Sequence, residues 1–134
     1  MIEKSTGRDA SIRGVPKWME PRTGKQRSLR QEREVASKLD GKVQPGSGNQ
    51  NHSPGDVKTK NVLLECKTTK HKSFRITTDL IRKVRIEAKS TNKEWAIVLD
   101  MDDTYSHTKE RVVVLDLDLF TALMEQYNGF ERHA

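Results

Sequence analysis

The chain has 134 residues, 33% apolar and 33% charged, with a net charge of +6. That suffices for one modest domain with a real core, leaving part of the chain as an exposed arm, and the positive balance points to an anionic partner, nucleic acid first. The single Cys excludes an internal disulfide and a Cys-rich zinc site, the four His lack metal-ligand spacing, and no apolar run suits a signal peptide or a membrane span, so a soluble, cytoplasmic protein is expected.

The charge is uneven: residues 1–27 hold seven Lys/Arg against three Asp/Glu, the remainder eighteen against sixteen. Residues 1–27 are also rich in Gly, Pro, Ser and Thr without apolar periodicity, and are expected to form a basic arm anchored by Trp18 and Met19. A domain over 28–134 follows. Its first helix is predicted from an N-cap at Ser28, with Leu29, Val35, Ala36 and Leu39 on the inward stripe and Gly41 as the stop. Glu32 falls on that stripe, where a carboxylate needs a partner or a ligand unless it snorkels at the edge. Glu34 points away and can pair with Lys38 at i+4.

"KVQP" reads as a short strand, and "PGSGNQNHSPG" as a polar loop of turn formers. "GDVKT" and "NVLLECKT" are two strands with a tight turn near Lys60-Asn61. A second helix spans "TTDLIRKVRIEAKS", capped by Thr77 or Thr78, with Leu80, Ile81, Val84 and Ala88 inward. "EWAIVLDM" is a buried strand, 102–110 a polar loop, "ERVVVLDL" a further strand, and "DLFTALMEQYNG" a last helix capped near Asp116. The order α-β-β-β-α-β-β-α implies an α/β sheet flanked by helices, without the regular alternation of a Rossmann unit.

Side chains alternate faces along a strand, so Leu63, Glu65 and Lys67 share one face, and Val62, Leu64 and Cys66 the other. Antiparallel pairing of the preceding strand brings Asp56 near Glu65. Two carboxylates together repel unless something positive lies between them. Either a hard divalent cation such as Mg²⁺ fills that role, or the group is a cross-strand ion pair worth under ~1 kcal/mol. "WAIVLDMDDT" is similar to the opening motif of haloacid-dehalogenase-type phosphatases. Those enzymes need a large following domain, so Asp100 and Asp102 are assigned instead to a solvated acidic loop after a buried strand.

Asp56 followed by Glu65-Cys66-Lys67 resembles the motif of the PD-(D/E)xK nuclease superfamily. "QEREVASKL", then "PGSG", then "GD" is more narrowly similar to the archaeal-type Holliday junction resolvases, including those carried by phages. The resemblance covers roughly residues 28–100. It departs from the family in a longer leading arm and in a Pro that precedes Gly55 rather than Asp56. It implies a restriction-endonuclease-like mixed central sheet flanked by helices. It implies an active site of Glu32, Ser47, Asp56, Glu65 and Lys67, and one or two Mg²⁺ (or Mn²⁺) per site. Asp56, Glu65 and the Cys66 backbone carbonyl would be ligands, with Glu32 reaching the metal through water or holding a second ion.

The activity so implied is metal-dependent hydrolysis of phosphodiesters in branched DNA, the four-way junction, by a homodimer. Lys67, kept protonated by its carboxylate neighbours, would orient water or stabilise charge. Arg27, Arg30, Arg33, Ser47, Asn49, His52, Lys70, Lys72 and Arg75 would contact DNA. Arg82, Arg85 and Lys89 line one face of the second helix, as phosphate contacts or as a solvated face. The alternatives are a less selective restriction- or repair-type nuclease of the same superfamily and a non-catalytic basic DNA-binding module.

Overall fold

Eight elements follow one another in the expected order. The computed structural model describes residues 16, 23–45, 55–103 and 108–132. In it the elements are α1 (Gly24–Leu39), β1 (Lys42–Val43), β2 (Val57–Lys58), β3 (Val62–Thr69), α2 (Thr78–Ser90), β4 (Glu94–Asp103), β5 (Thr108–Leu115) and α3 (Leu117–Arg132). The strands form one mixed sheet in the order β1-β2-β3-β4-β5. Among the described residues only β3 and β4 run parallel, and α2 is the crossover that a parallel pair requires. The chain is therefore a mixed α/β protein with a five-stranded sheet and three helices.

The alternation of β3 and β4 creates two core layers. Leu64, Ala96 and Val98 pack with Val35 and Ala36 of α1 and with Val57. Leu63, Trp95 and Ile97 pack with Val84 and Ala88 of α2. Each fully buried branched side chain contributes roughly 1.5–3 kcal/mol, so both helices are held firmly against β3. Leu80 and Ile81 border the second layer, as their helical spacing predicts. At the β2–β3 turn, Thr59 N–H donates to Val62 O (2.9 Å), and Lys93 Nζ donates to the Thr59 and Lys60 carbonyls.

Several boundaries differ from expectation. α1 starts at Gly24, four residues before Ser28, because Thr23 and Gln26 form a reciprocal capping box. Residues 24–27 therefore belong to the helix rather than to an arm. The buried face of α1 is Gln31, Glu32, Val35 and Ala36, whereas Leu29 and Leu39 are exposed. Asp40, not Gly41, takes the left-handed cap (φ 54°). Gly41 suits a close approach instead, since a Cβ there would stand 3.0 Å from the Lys58 carbonyl oxygen. Thr77 caps α2 by accepting from Leu80 N–H. Asp116 accepts from Asp118 N–H at the start of α3. Within the expected polar loop at 102–110, residues 102–103 and 108–110 are strand, because β4 runs on to Asp103 and β5 begins at Thr108; residues 104–107 lie outside the described residues. Among the described residues no helix is long and apolar enough to cross a membrane.

Candidate active site

The hairpin β2–β3 opens just where its polar residues begin. Val57 is paired with Leu64, so the next step of the register sets Asp56 opposite Glu65. Asp56 N–H still donates to Leu64 O (2.9 Å), and beyond the last β2–β3 pair among the described residues its side-chain Oδ2 accepts from Cys66 N–H at 2.7 Å. The N–H and C=O of one extended residue point to the same side of its strand. The Cys66 carbonyl therefore lies along the same open edge of β3 as the Asp56 carboxylate.

The turn entering Asp56 is constrained from two directions. Gly55 has φ +73°, and a Cβ on it would meet the Leu63 side chain at 2.6 Å, so only glycine fits. Its N–H donates to Glu87 Oε2 of α2 at 3.3 Å. Leu63 is a core residue, and the core itself thus sets the position of Asp56.

Glu65 is buried, with Lys67 Nζ 3.4 Å and Lys83 Nζ 3.6 Å from the same oxygen, Oε1. Burial raises its pKa above the ordinary value, the Asp56 charge raises it further, and Lys83 and Lys67 oppose the rise. Lys83 also faces Glu87 Oε1 at 3.9 Å. Lys83 and Glu87 went unseen in the sequence. Their signal was available: they stand at i, i+4 on the border of the Leu80–Val84 stripe, over the sheet face that carries Leu63 and Glu65.

Glu32 faces the sheet, as its helical position predicts, and is buried. It reaches the sheet from the α1 side, which packs on Leu64 and Cys66, whereas Glu65 and Lys67 alternate to the α2 side. Cys66 lies between the two sides: its thiol is pushed well up, first by burial and then by Asp56, Glu32, Glu65 and Asp100 in turn. Next to Glu32, Gln31 is 1% exposed, and its Nε2 donates to the carbonyls of Lys67 (2.9 Å) and Val98 (3.2 Å). This amide ties α1 to the backbone of the Lys67 position.

Two expectations are corrected on the α1 side. Glu34 does not pair with Lys38. It accepts from Arg30 Nε (2.6 Å) and from an Arg111 guanidinium nitrogen (2.9 Å), which hold its carboxyl below the ordinary range. Asp100 is not in a solvated loop. It is buried in β4 opposite Arg111 of β5, which grips it with two hydrogen bonds of 2.7 and 2.8 Å.

Of the residues expected to contact DNA, Arg33, Lys70, Lys72 and Arg75 are exposed, and Arg27 is half-buried at the start of α1. Arg30 is engaged with Glu34. On α2, Arg82 lies 3.8 Å from Asp79, and Arg85 lies 3.9 Å from Asp116. Ser47, Asn49 and His52, like most of the arm with Trp18 and Met19, lie outside the described residues.

The oxygen donors at the β3 edge are of the hard type that suits Mg²⁺. Asp56 is anchored on a backbone N–H, and Glu65 carries a pKa raised by burial and by its neighbour, so the pair fits a cation in kind. Among the described residues, no three His, Cys, Asp or Glu side chains are grouped closely enough to hold a metal ion by themselves. No family model, no curated protein and no solved structure matches the chain.

Proposed function

We propose that the chain is a metal-dependent DNA endonuclease that resolves four-way junctions by phosphodiester hydrolysis, on a restriction-endonuclease-like form of its mixed sheet. The observation that carries this reading is the meeting of Asp56, Glu65 and Lys67 at the open edge of β3, with Asp56 Oδ2 on Cys66 N–H. Asp56, Glu65 and the Cys66 carbonyl would hold Mg²⁺ or Mn²⁺, with Glu32 as a further oxygen donor from α1. When bound, the ion supplies Lewis-acid stabilisation of the phosphate and a more acidic water. Lys67, beside Glu65, offers its charge to a phosphate oxygen. A junction is cut on two strands, so two sites and a twofold homodimer go with this reading.

A labelled four-way junction, a flap and a linear duplex, each with Mg²⁺ and with EDTA, test it. Paired cuts in the junction are expected with metal alone. Asp56→Asn and Glu65→Gln should stop cutting while junction binding persists or tightens, because carboxylate–phosphate repulsion falls. Full cleavage by either variant removes the site assignment, and equal cutting of linear duplex selects a less selective nuclease. One observation favours a second reading, a non-catalytic DNA-binding module. Two lysines already neutralise Glu65, and among the described residues no three metal-ligating side chains converge. Binding of the junction without cleavage under any divalent ion selects that module.

A further inference from the structure

We propose that Lys83 is a second phosphate-binding ammonium of this site, presented from α2 beside Lys67; the inference rests on the nuclease reading above and extends its substrate contacts. Lys67 comes from β3 and Lys83 from α2, yet both approach Glu65 Oε1, at 3.4 and 3.6 Å. Two independent elements thus converge two ammonium groups on one carboxylate oxygen.

The charge balance gives the second lysine a role. Asp56, Glu65, Glu87 and, from α1, Glu32 place four carboxylates around this corner, and Lys67 supplies one ammonium. A divalent ion would still leave that set one negative charge in excess. With Lys83 included, the occupied site is neutral and no longer repels a phosphodiester.

Exposure and anchoring also suit the role. The Lys83 side chain is 56% exposed against 34% for Lys67, so its ammonium keeps open access to a ligand. An ion pair that exposed contributes little, so the ammonium can turn from Glu65 to a phosphate at small cost. Its backbone is nonetheless fixed, because the adjacent Val84 is 1% exposed in the core beneath α2. Glu87, four residues on, holds Gly55 N–H through one oxygen and faces Lys83 with the other. Lys83 is thereby tied to the turn that delivers Asp56.

The test uses the full chain and a labelled four-way junction. Binding is measured against salt concentration in Ca²⁺, so that a divalent ion is supplied to the site, for the wild type, Lys83→Met, Lys83→Gln and Lys83→Arg. Single-turnover cleavage follows in Mg²⁺, and thermal unfolding reports on folding. Removing one phosphate-binding charge should lower the log–log salt slope by about 0.9 in the Met and Gln variants, with the slope kept in Lys83→Arg. Cleavage should fall on the order of tenfold or more in the Met and Gln variants, with partial recovery in Lys83→Arg. An unchanged slope and rate in whichever of the Met and Gln variants stays folded would overturn the proposal and leave Lys83 a counter-ion of Glu65. A wild type that cuts no DNA refutes the nuclease reading instead. The salt slopes then still decide whether Lys83 meets phosphate.

Discussion

At the residue scale, Glu65 carries the sharpest physical signature. Its folded pKa is raised above the ordinary 4.5, by burial first and Asp56 second. A raised carboxyl pKa means that the folded chain keeps a proton which the unfolded chain releases. Stability from this group is therefore full below the unfolded value and is lost as pH rises through the folded one. A glutamine does not titrate, so Glu65→Gln should gain stability relative to the wild type on going from pH 4 to pH 8. Urea unfolding of both proteins in EDTA at the two pH values checks this, and a difference independent of pH would refute it. The neighbouring thiol follows the same cause: Cys66, pushed up by burial and four nearby carboxylates, should resist alkylation in the native protein. Measured against a free thiol at pH 8, it should react slowly until denaturant is added.

Glu32 and Glu34 lie two positions apart, about 200° around a helix, and the structure separates them as that angle requires. Glu32 is buried against the sheet, and Glu34 stands at the rim between Arg30 and Arg111. Glu32→Gln should reduce junction cleavage by orders of magnitude with little change in binding. Glu34→Gln should remain active and lose roughly 1 kcal/mol or less of stability, since both its partners are partly exposed. Single-turnover cleavage by both variants under one Mg²⁺ concentration decides between them. A dead Glu34→Gln would mean that the rim network, not the buried carboxylate, serves the reaction.

At the scale of elements, the order of helices and strands was legible because apolar runs, turn formers and caps agree with one another. The phase of α1 was only half legible. Apolar periodicity counted Leu29 and Leu39 as inward and passed over Gln31, yet the leucines are exposed and the amide is buried. Gln31 belongs in the interior because it bonds the carbonyls of Lys67 and Val98, partners 36 and 67 residues away. No local pattern encodes such a partner. Asp100 misled for the same reason: a carboxylate after an apolar run reads as the start of a loop, and only the pairing of β4 with β5 reveals Arg111 beside it.

That pairing supports a prediction about the elements it joins. Arg111 reaches from β5 across buried Asp100 to Glu34 of α1, linking two strands and a helix. Arg111→Met would leave Asp100 buried without its partner, at a loss of about 3 kcal/mol. The double variant Arg111→Met with Asp100→Leu removes both charges and should recover much of that loss. Chemical denaturation of the two variants and the wild type measures it. Equal stability of the single and double variants would refute the stranded charge as the cause of the loss.

At the scale of the whole molecule, the segment ahead of the domain contributes part of the positive charge. Residues 2–22 carry five Lys/Arg against three Asp/Glu, and α1 begins at Gly24 behind its Thr23 cap. A deletion meant to test the segment must therefore stop at residue 22. Removal of Thr23 would break the capping box and cost about 1 kcal/mol of helix stability by itself. If the segment binds phosphates, deleting 2–22 weakens junction binding and flattens its salt dependence by about 0.9 for each phosphate no longer neutralised, up to roughly 4.5 for all five charges. Binding isotherms over a salt series read the slope, and sedimentation of the same protein reads its oligomeric state. A lower slope with the mass unchanged assigns the segment to DNA. An unchanged slope with a halved mass would make it a strap between subunits, and the phosphate contacts would then have to come from the exposed Arg33, Lys70, Lys72 and Arg75 of the domain itself.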